Sequence, residues 1–77
     1  MDKLFKIYCS NKNNDDIKIY VNAVLFGSNP FIQIMPAFSP ENAAIYEEEK
    51  AQKYIDMLNE ENKDTDIYFY MEEYNEN

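Results

Sequence analysis

Residues 39–62 constrain the fold more than any other part of the chain, because they have a clear helical signature and no Gly or Pro after Pro40. Ser39 is a favourable N-cap, and Pro40 suits the first helical position. Apolar side chains then recur at spacings of seven, four and three residues, and these are Ala44, Ala51, Ile55 and Leu58, with Tyr54 beside them. This periodicity predicts a helix over residues 40–61 that buries one stripe against a sheet.

The rest of this predicted helix surface is acidic. Glu49, Asp56 and Glu60 are separated by seven and four residues, or about 10 and 6 Å along a helix that rises about 1.5 Å per residue. They therefore lie close to one side of the helix. The candidate binding residues of this acidic surface are Glu41, Glu48, Glu49, Asp56, Glu60 and Glu61.

Charge is distributed unevenly along the chain, whose net charge is −8. Residues 1–40 contain four Lys and three Asp, whereas residues 41–77 contain three Lys and twelve acidic residues. The simplest interpretation of this acidity is solubility. The functional interpretation is that the second half of the chain attracts a basic partner.

Four other segments alternate apolar and polar residues, as β-strands with one buried face do. They cover residues 3–9, 16–26, 31–35 and 64–73, with a polar hairpin loop at 10–15 and a turn at 27–30. Pro36 cannot donate a ladder hydrogen bond, so the third strand is expected to end there or to lie at a sheet edge.

The predicted element order is β-β-β-α-β, an α+β fold in one domain of 77 residues with a frayed tail at 74–77. Short loops make the first three strands an antiparallel meander, and a right-handed crossover lays the fourth strand parallel to the third. The fourth strand then pairs beside the first in a mixed sheet, with the helix on one face. The expected inner face carries Phe5, Ile7, Ile17, Ile19, Val21, Leu25, Ile32, Ile34, Ile67 and Phe69.

The opposite face of this sheet is predicted to be rich in aromatic side chains. Its candidate binding residues are Tyr8, Tyr20, Phe31, Tyr68 and Tyr70, with Lys6, Lys18, Asn22 and Gln33 among them. One helix covers only one face, so this surface is expected to meet a protein partner or a second copy of the chain. Base stacking on the tyrosines, with lysines on phosphates, is a further possibility that the net charge opposes.

Enzymatic activity is not expected, because the sequence lacks His and Arg and places no acid–base pair together. Cys9 is the single cysteine and is predicted to be a small apolar core residue. Acidic runs at 13–16 and 64–66 lack the spacing of a calcium loop, so neither a metal nor a cofactor is expected. The single cysteine and the absence of a signal peptide or a membrane-length apolar run favour a cytoplasmic protein.

The composition and the helix that reads EEEK…NEEN suggest a class of protein. In size, acidity, Asn/Lys/Ile/Tyr-rich composition and lack of catalytic residues, the chain resembles small phage-encoded anti-defence proteins, such as anti-CRISPR proteins that block the DNA-binding channel of a Cas effector. This resemblance assigns no individual residue. It implies an inhibitor in the host cytoplasm that binds a basic host protein, such as a nuclease or another nucleic-acid-binding protein, and contacts neither nucleic acid nor membrane itself.

Two functional hypotheses follow. In the first, the acidic helix mimics nucleic acid, because a duplex is a rod of regularly spaced negative charges that a row of carboxylates imitates. In the second, the chain is a protein–protein interaction or adaptor module, or a homodimer, that uses the tyrosine-rich sheet face.

Overall fold

The structure is a computed structural model that describes residues 3–27 and 32–75. Its elements are β1 (Leu4–Asn11), β2 (Asn14–Phe26), β3 (Ile32–Ala37), a 3-10 helix (Pro40–Asn42), β4 (Ile45–Glu47), α1 (Glu48–Glu61) and β5 (Ile67–Tyr74). The α+β class is therefore confirmed. Residues 28–30 of the predicted turn, and Phe31, lie outside the described residues.

The strand β1 is the centre of an antiparallel sheet. Along one of its edges, β5 pairs with every residue from Leu4 to Asn11. Along the other edge, β4 pairs with residues 4–6 and β2 pairs with residues 8–11. The second half of β2 leaves β1 and pairs with β3, which is an edge strand of the described sheet, as Pro36 predicts.

The prediction of a mixed sheet is wrong about the direction of the last strand. The last strand does lie beside the first, but β5 runs antiparallel to β1. The reason is β4, because the chain reverses through the 3-10 helix and pairs antiparallel with β1 before α1 begins. The helix therefore connects β4 with β5, two strands that run in the same direction on opposite edges of β1.

The helix begins at Glu48 rather than at Pro40. Ser39 makes no side-chain cap hydrogen bond, and Ala43 is already extended, with φ −72° and ψ 140°. The N–H of Ala44 donates to the carbonyl oxygen of Val21 at 3.0 Å, which commits the backbone to the sheet. The cap residues at 39–41 therefore start a single 3-10 turn, and Ala44 lies outside the helical stripe.

Three members of the predicted stripe are confirmed as the buried side of α1: Ala51, Ile55 and Leu58 are 0%, 6% and 1% exposed. They pack mainly on β1, β3, β4 and β5. The core that they complete contains Phe5, Ile7, Cys9, Val21, Ile32 and Phe69. Cys9 is thus the apolar core residue that its position in the sequence predicts.

Four residues expected in the core are instead about two-fifths exposed: Ile17, Ile19, Leu25 and Ile67. Leu25 is turned outward because the register of β2 on β3 shifts between Val21 and Ala23, so Val24 packs on the core in its place. Ile17 and Ile19 lie in the first half of β2, which is not one of the strands on which α1 mainly packs.

A side chain of α1 protects the outer edge of β5. The amide of Asn59 donates from Nδ2 to the carbonyl oxygen of Phe69 at 3.2 Å, and its Oδ1 accepts the N–H of Phe69 at 2.7 Å. Asn59 thus takes the place of a neighbouring strand at an edge where unpaired backbone groups favour association. At the predicted tail, Tyr74 pairs with Leu4, and residues 76–77 lie outside the described residues.

Candidate functional site

The outer side of α1 carries three exposed carboxylates, Glu49, Asp56 and Glu60, which we call the acidic row. Their spacing places them on the side opposite the buried stripe, as the sequence predicts for a helix with 3.6 residues per turn. Among the described residues, two of these carboxylates accept hydrogen bonds from side chains three or four positions away: Gln52 donates to Asp56 at 2.9 Å, and Lys63 donates to Glu60 at 2.9 Å.

Two lysines lower the negative charge of the acidic row. Lys53 follows Glu49 by four residues and precedes Asp56 by three, so it lies on the same side of the helix. The ammonium of Lys63 pairs with the carboxylate of Glu60, and this hydrogen bond raises the pKa of Lys63. Both side chains of the pair are mostly exposed, so the pair contributes little to stability. The row remains negative, but it is not a continuous line of acids.

The other acidic candidates are divided between two parts of the molecule. Glu48 and Glu61 are the first and last residues of α1, and both are exposed. Glu41 lies in the 3-10 helix, whose flanking residues Ala37 and Ala43 pack on Tyr20. The structure therefore brings Glu41 to the tyrosine side of the sheet and not to the surface of α1.

The tyrosines on the opposite side of the sheet form one continuous cluster, the tyrosine face, which comprises Tyr8, Tyr20, Tyr68 and Tyr70. The ring of Tyr8 is stacked with that of Tyr70, with centroids 5.4 Å apart and planes at 25°. Tyr20 lies 5.9 Å from Tyr8, and Tyr68 lies 5.0 Å from Tyr70. Phe31, which was predicted for this surface, lies outside the described residues.

Two polar side chains cross-link the tyrosine face. The ammonium of Lys18 lies 2.6 Å from Oε1 of Glu72 and 4.4 Å from the ring centroid of Tyr8. The hydroxyl of Tyr20 donates to Oε2 of Glu72 at 2.9 Å. The hydrogen bond between Lys18 and Glu72 is the main reason that the pKa of Lys18 is raised and that of Glu72 is lowered.

If bases stacked on the tyrosines, two lysines would be expected to contact the phosphates, but both lysines instead form contacts within the chain. Lys18 pairs with Glu72, and Lys6 donates to the carbonyl oxygen of Pro40 at 2.8 Å. The ammonium of Lys6 also lies 5.1 Å from the ring centroid of Tyr74. These contacts weigh against recognition of a nucleic-acid backbone by this face.

The 3-10 helix and its flanks cover one end of the tyrosine face. Tyr20 is only 8% exposed because it packs against Ala37 and Ala43. The side-chain amide of Asn22 fixes this cover by donating to the carbonyl oxygen of Asn42 at 2.8 Å. Tyr68 and Tyr70 remain open, at 40% and 43% exposed. A helix that begins at residue 40, as the sequence predicts, leaves no segment to form this cover.

A cavity of about 520 Å³ lies at the β1–β2 hairpin, beside Tyr8 and Tyr70. It exists because Cys9 pairs with Ile19 and Asn11 pairs with Asn14, so residues 15–18 of β2 lie opposite Ser10 alone. Ser10 lines the cavity, is 8% exposed, and has an Oγ with no hydrogen-bond partner among the described residues. The Asn-rich run at 10–15 predicts a loop, and no pattern in it reveals this bulge.

The described residues offer little other chemistry. No group of three or more Cys, Asp or Glu side chains within 3–27 and 32–75 is placed to hold a metal ion. Burial raises the pKa of the Cys9 thiol, which keeps it protonated and unreactive at neutral pH.

No helix within residues 3–27 and 32–75 has both the length and the apolar character that crossing a membrane requires.

Comparison with known proteins adds no assignment: no family model, curated protein or solved structure matches this chain.

Proposed function

We propose that this protein is a non-catalytic inhibitor that binds a basic nucleic-acid-binding protein or nuclease through the acidic row. The observation that carries the proposal is that Glu49, Asp56 and Glu60 are exposed on one side of a helix whose other side is buried in the core. The helix is therefore held on the sheet, and its carboxylates are presented to solvent from fixed backbone positions. Such an arrangement needs little ordering when a partner binds.

The dimensions of α1 suit a basic groove. Its 14 residues span about 21 Å at 1.5 Å per residue, which is roughly the length of six base pairs. A groove lined by Lys and Arg would meet the acidic row over about 16 Å of that length. Charge complementarity of this kind accelerates association and weakens as salt screens both surfaces.

The class of target follows from the same surface. A protein that imitates a polyanion competes for channels that normally hold nucleic acid, and it acts without a catalytic site of its own. Phage-encoded anti-defence proteins, including anti-CRISPR inhibitors of Cas effectors, work in host cytoplasm in this way. We extend the proposal to that class on the basis of the acidic helix, the size of the chain and its net charge of −8.

The test compares the wild-type chain with a variant in which Glu49, Asp56 and Glu60 are all replaced by Lys. Each is immobilised and exposed to bacterial lysate at about 50 and 200 mM salt, a range over which phosphate-like contacts weaken strongly. We expect the wild type to capture a nucleic-acid-binding protein at low salt and the triple variant to lose it. Duplex DNA should displace the captured protein. Capture that survives both the triple substitution and added duplex would contradict the proposal.

A gain-of-function pair sharpens this test. Lys53→Glu removes the positive charge within the acidic row and should tighten binding to the captured protein several-fold. Lys50→Glu makes the same change in net charge at an exposed position about a quarter turn away from the row. If the two variants tighten binding equally, net charge rather than the row determines affinity.

The tyrosine face supports a second candidate, a protein–protein interaction module or homodimer. Tyr68 and Tyr70 are 40% and 43% exposed and lie against Tyr8, so a connected aromatic surface faces solvent. Replacing Tyr68 and Tyr70 together by Ala tests this candidate. If that double variant loses the captured protein while the triple Lys variant keeps it, the tyrosine face is the binding surface. Light scattering of the wild type at high concentration tests the homodimer directly.

A further inference from the structure

The strand β3 leaves one edge of the sheet open to a further strand. It pairs with β2 along one edge, and no other strand within residues 3–27 and 32–75 pairs with it. Its sequence, IQIMPA, contains no charged side chain of the kind that many edge strands carry to prevent pairing. The outer edge of β5 differs, because Asn59 bonds to the backbone of Phe69 there. The edge of β3 is therefore the more accessible of the two.

The backbone of β3 directs hydrogen-bonding groups to this free edge. The carbonyl oxygen of Val21 accepts the N–H of Ala44, so the backbone of Val21 faces away from β3. Pro36 is opposite Val21, and its backbone faces away from β2 in turn, where its missing N–H leaves no gap between the two strands. Because these directions alternate along a strand, the N–H and C=O groups of Ile32 and Ile34 also point to the free edge.

A groove of about 360 Å³, which we call the edge groove, lies beside this edge. Ile32, Gln33 and Ile34 all line it, although side chains alternate between the two faces of a strand, so the groove borders the strand edge itself. Buried Leu58 lines it from α1, and Ile67 lines it from β5 while remaining 40% exposed. An apolar side chain that enters the edge groove would therefore gain apolar contacts.

Acidic side chains lie beside the edge groove. Ile32 and Glu61 line both this groove and a neighbouring cavity. The neighbouring cavity is lined by four carboxylates, those of Asp56, Glu60, Glu61 and Asp64. Lys63 lines it too, but its ammonium pairs with Glu60. This surplus of negative charge favours a basic occupant. A second copy of the chain would bring a net charge of −8 and the same carboxylates, so repulsion opposes it.

We infer that the free edge of β3 and the edge groove bind an extended segment of a basic partner protein. The segment adds to the sheet as a strand, with an apolar side chain in the groove and a basic side chain two positions along, on the same face, beside Glu61. Main-chain hydrogen bonds supply the affinity of such strand addition, and alternate side chains supply its specificity. The inference rests on the proposed function, because Asp56 and Glu60 belong to the acidic row, and it states how a basic partner is held.

The test uses a peptide with blocked ends and the sequence Thr-Lys-Thr-Leu-Thr-Lys-Thr. In a strand, this sequence places Leu and both Lys on one face and the Thr residues on the other. The peptide is titrated into the isotope-labelled protein, and the backbone amides are followed by magnetic resonance. We expect saturable shifts at Ile32 and Ile34 and slower hydrogen exchange of both amides, because strand addition pairs their N–H groups.

Two N-methylated forms of the peptide identify the main-chain hydrogen bonds. One form is methylated at Leu and both Lys, and the other at the Thr residues. Successive N–H groups of a strand point to opposite edges, so only one of these sets faces β3. One form should therefore bind about tenfold more weakly than the parent peptide, and the other within about twofold of it. Equal effects of the two forms would show charge attraction without strand pairing, and would overturn the inference.

Two variants of the chain test the edge groove. Ile67→Lys removes an apolar contact and adds a positive charge, and should weaken peptide binding about tenfold. Ile45→Lys makes the same change at a strand position that is 44% exposed and does not line the groove, and should leave binding nearly unchanged. Equal effects of these variants would overturn the inference. Protection of Ile34 that rises with protein concentration, without peptide, would also overturn it, because a second copy then occupies the edge.

Failure of this inference and failure of the proposed inhibition give different results. The peptide experiment needs no captured protein, so absent shifts at Ile32 and Ile34 overturn strand addition and leave the lysate capture to judge the acidic row. The triple Lys variant should bind the parent peptide more weakly, since two carboxylates beside the groove are replaced. The two N-methylated forms should still differ in that variant, and if they do not, the pairing with β3 is contradicted.

Discussion

The acidic row and the tyrosine face are both broad solvent-facing surfaces, but their side chains are engaged in different ways. The hydrogen bonds of Asp56 and Glu60 join residues four and three positions apart. On the tyrosine face, Glu72 joins Lys18 and Tyr20, which are 54 and 52 residues away in the chain. One surface is built from local contacts, and the other connects β2 with β5 across β1.

The two surfaces therefore contribute differently to the stability of the fold. Exposed side chains without tertiary contacts can be changed at little cost in stability, so the acidic row is available for binding. The main contribution of the tyrosine face is to stabilise the sheet, through contacts between its rings and through the carboxylate of Glu72, which two side chains share. Cross-strand aromatic pairs and opposite charges are stabilising units of a sheet. Substitutions should therefore have unequal effects on the two surfaces, and the following predictions test that inequality.

The largest effect is expected at Tyr20, the most buried member of the tyrosine face. Tyr20→Ala removes a ring that packs on Ala37, Ala43 and Tyr8, and should lower the free energy of unfolding by about 3 kcal/mol, as loss of a buried aromatic does. Urea unfolding followed by circular dichroism measures it. Tyr20→Phe keeps the ring and removes only the hydrogen bond to Glu72, so it should cost about 1 kcal/mol. Equal losses from the two variants would show that the ring contributes nothing.

The next effect concerns a polar residue on α1 that does have tertiary partners. Asn59→Ala leaves the N–H and C=O of Phe69 unpaired at the edge of β5, and should destabilise the fold by about 1–3 kcal/mol. Gln52→Ala is the matched control, because Gln52 hydrogen-bonds only within the helix. Hydrogen exchange of the Phe69 amide gives a local measurement. Protection that is unchanged in Asn59→Ala would show that the side chain does not shield this edge.

The features that sequence reasoning predicted are those with local patterns. The spacing of Ala51, Ile55 and Leu58 identified the buried side of α1, and strand alternation placed Tyr8 and Tyr70 on one face. The acidic row follows from the same helical periodicity. These patterns depend on backbone geometry that repeats every 3.6 or 2 residues, so a short window of sequence contains them.

The features that it missed depend on contacts between distant segments. Nothing local to Ala44 shows that its N–H bonds to Val21, yet that contact shortens the helix and creates β4. The register shift after Val21 turns Leu25 outward for a similar reason, because β3 determines it. The irregular pairing opposite Ser10, which forms the hairpin cavity, is likewise a property of two strands together.

A smaller effect, with a distinctive pH dependence, is expected from the pair of Lys18 and Glu72. The pKa of Glu72 is lowered from its ordinary value of 4.5, first by the hydrogen bond from Lys18. Ionised Glu72 therefore stabilises the fold at neutral pH, and this contribution is lost as pH falls below about 4.5 and through the lower folded-state value. Because both side chains are more than a third exposed, Glu72→Gln should cost below about 1 kcal/mol at pH 7.

The measurement is the difference in unfolding free energy between wild type and Glu72→Gln across a series of pH values. The difference should be constant near neutral pH and should shrink on acidification below pH 4.5. Glu73→Gln removes a neighbouring exposed carboxylate that forms no ion pair among the described residues, and is the matched control. A difference that does not change with acid would contradict the assignment of this stability to ionised Glu72.

The smallest effect on stability is expected from the variant that should matter most for binding. Replacing Glu49, Asp56 and Glu60 by Lys changes the net charge from −8 to −2, yet it alters no buried contact. Lys at position 49 lies in the first turn of α1, where the helix dipole disfavours positive charge by about 0.3–1 kcal/mol. Lys at position 60 lies in the last turn, where the same dipole favours it by a similar amount.

These two terms offset each other, and loss of the exposed contact between Glu60 and Lys63 adds little. The triple variant should therefore unfold within about 0.5 kcal/mol of wild type, as surface substitutions usually do. Urea unfolding at two salt concentrations measures this, and the single variants Glu49→Lys and Glu60→Lys should show small changes of opposite sign. A loss above about 2 kcal/mol would mean that the acidic row stabilises the fold, since exposed sites rarely cost so much. The loss of partner binding in that variant would then report unfolding instead of charge.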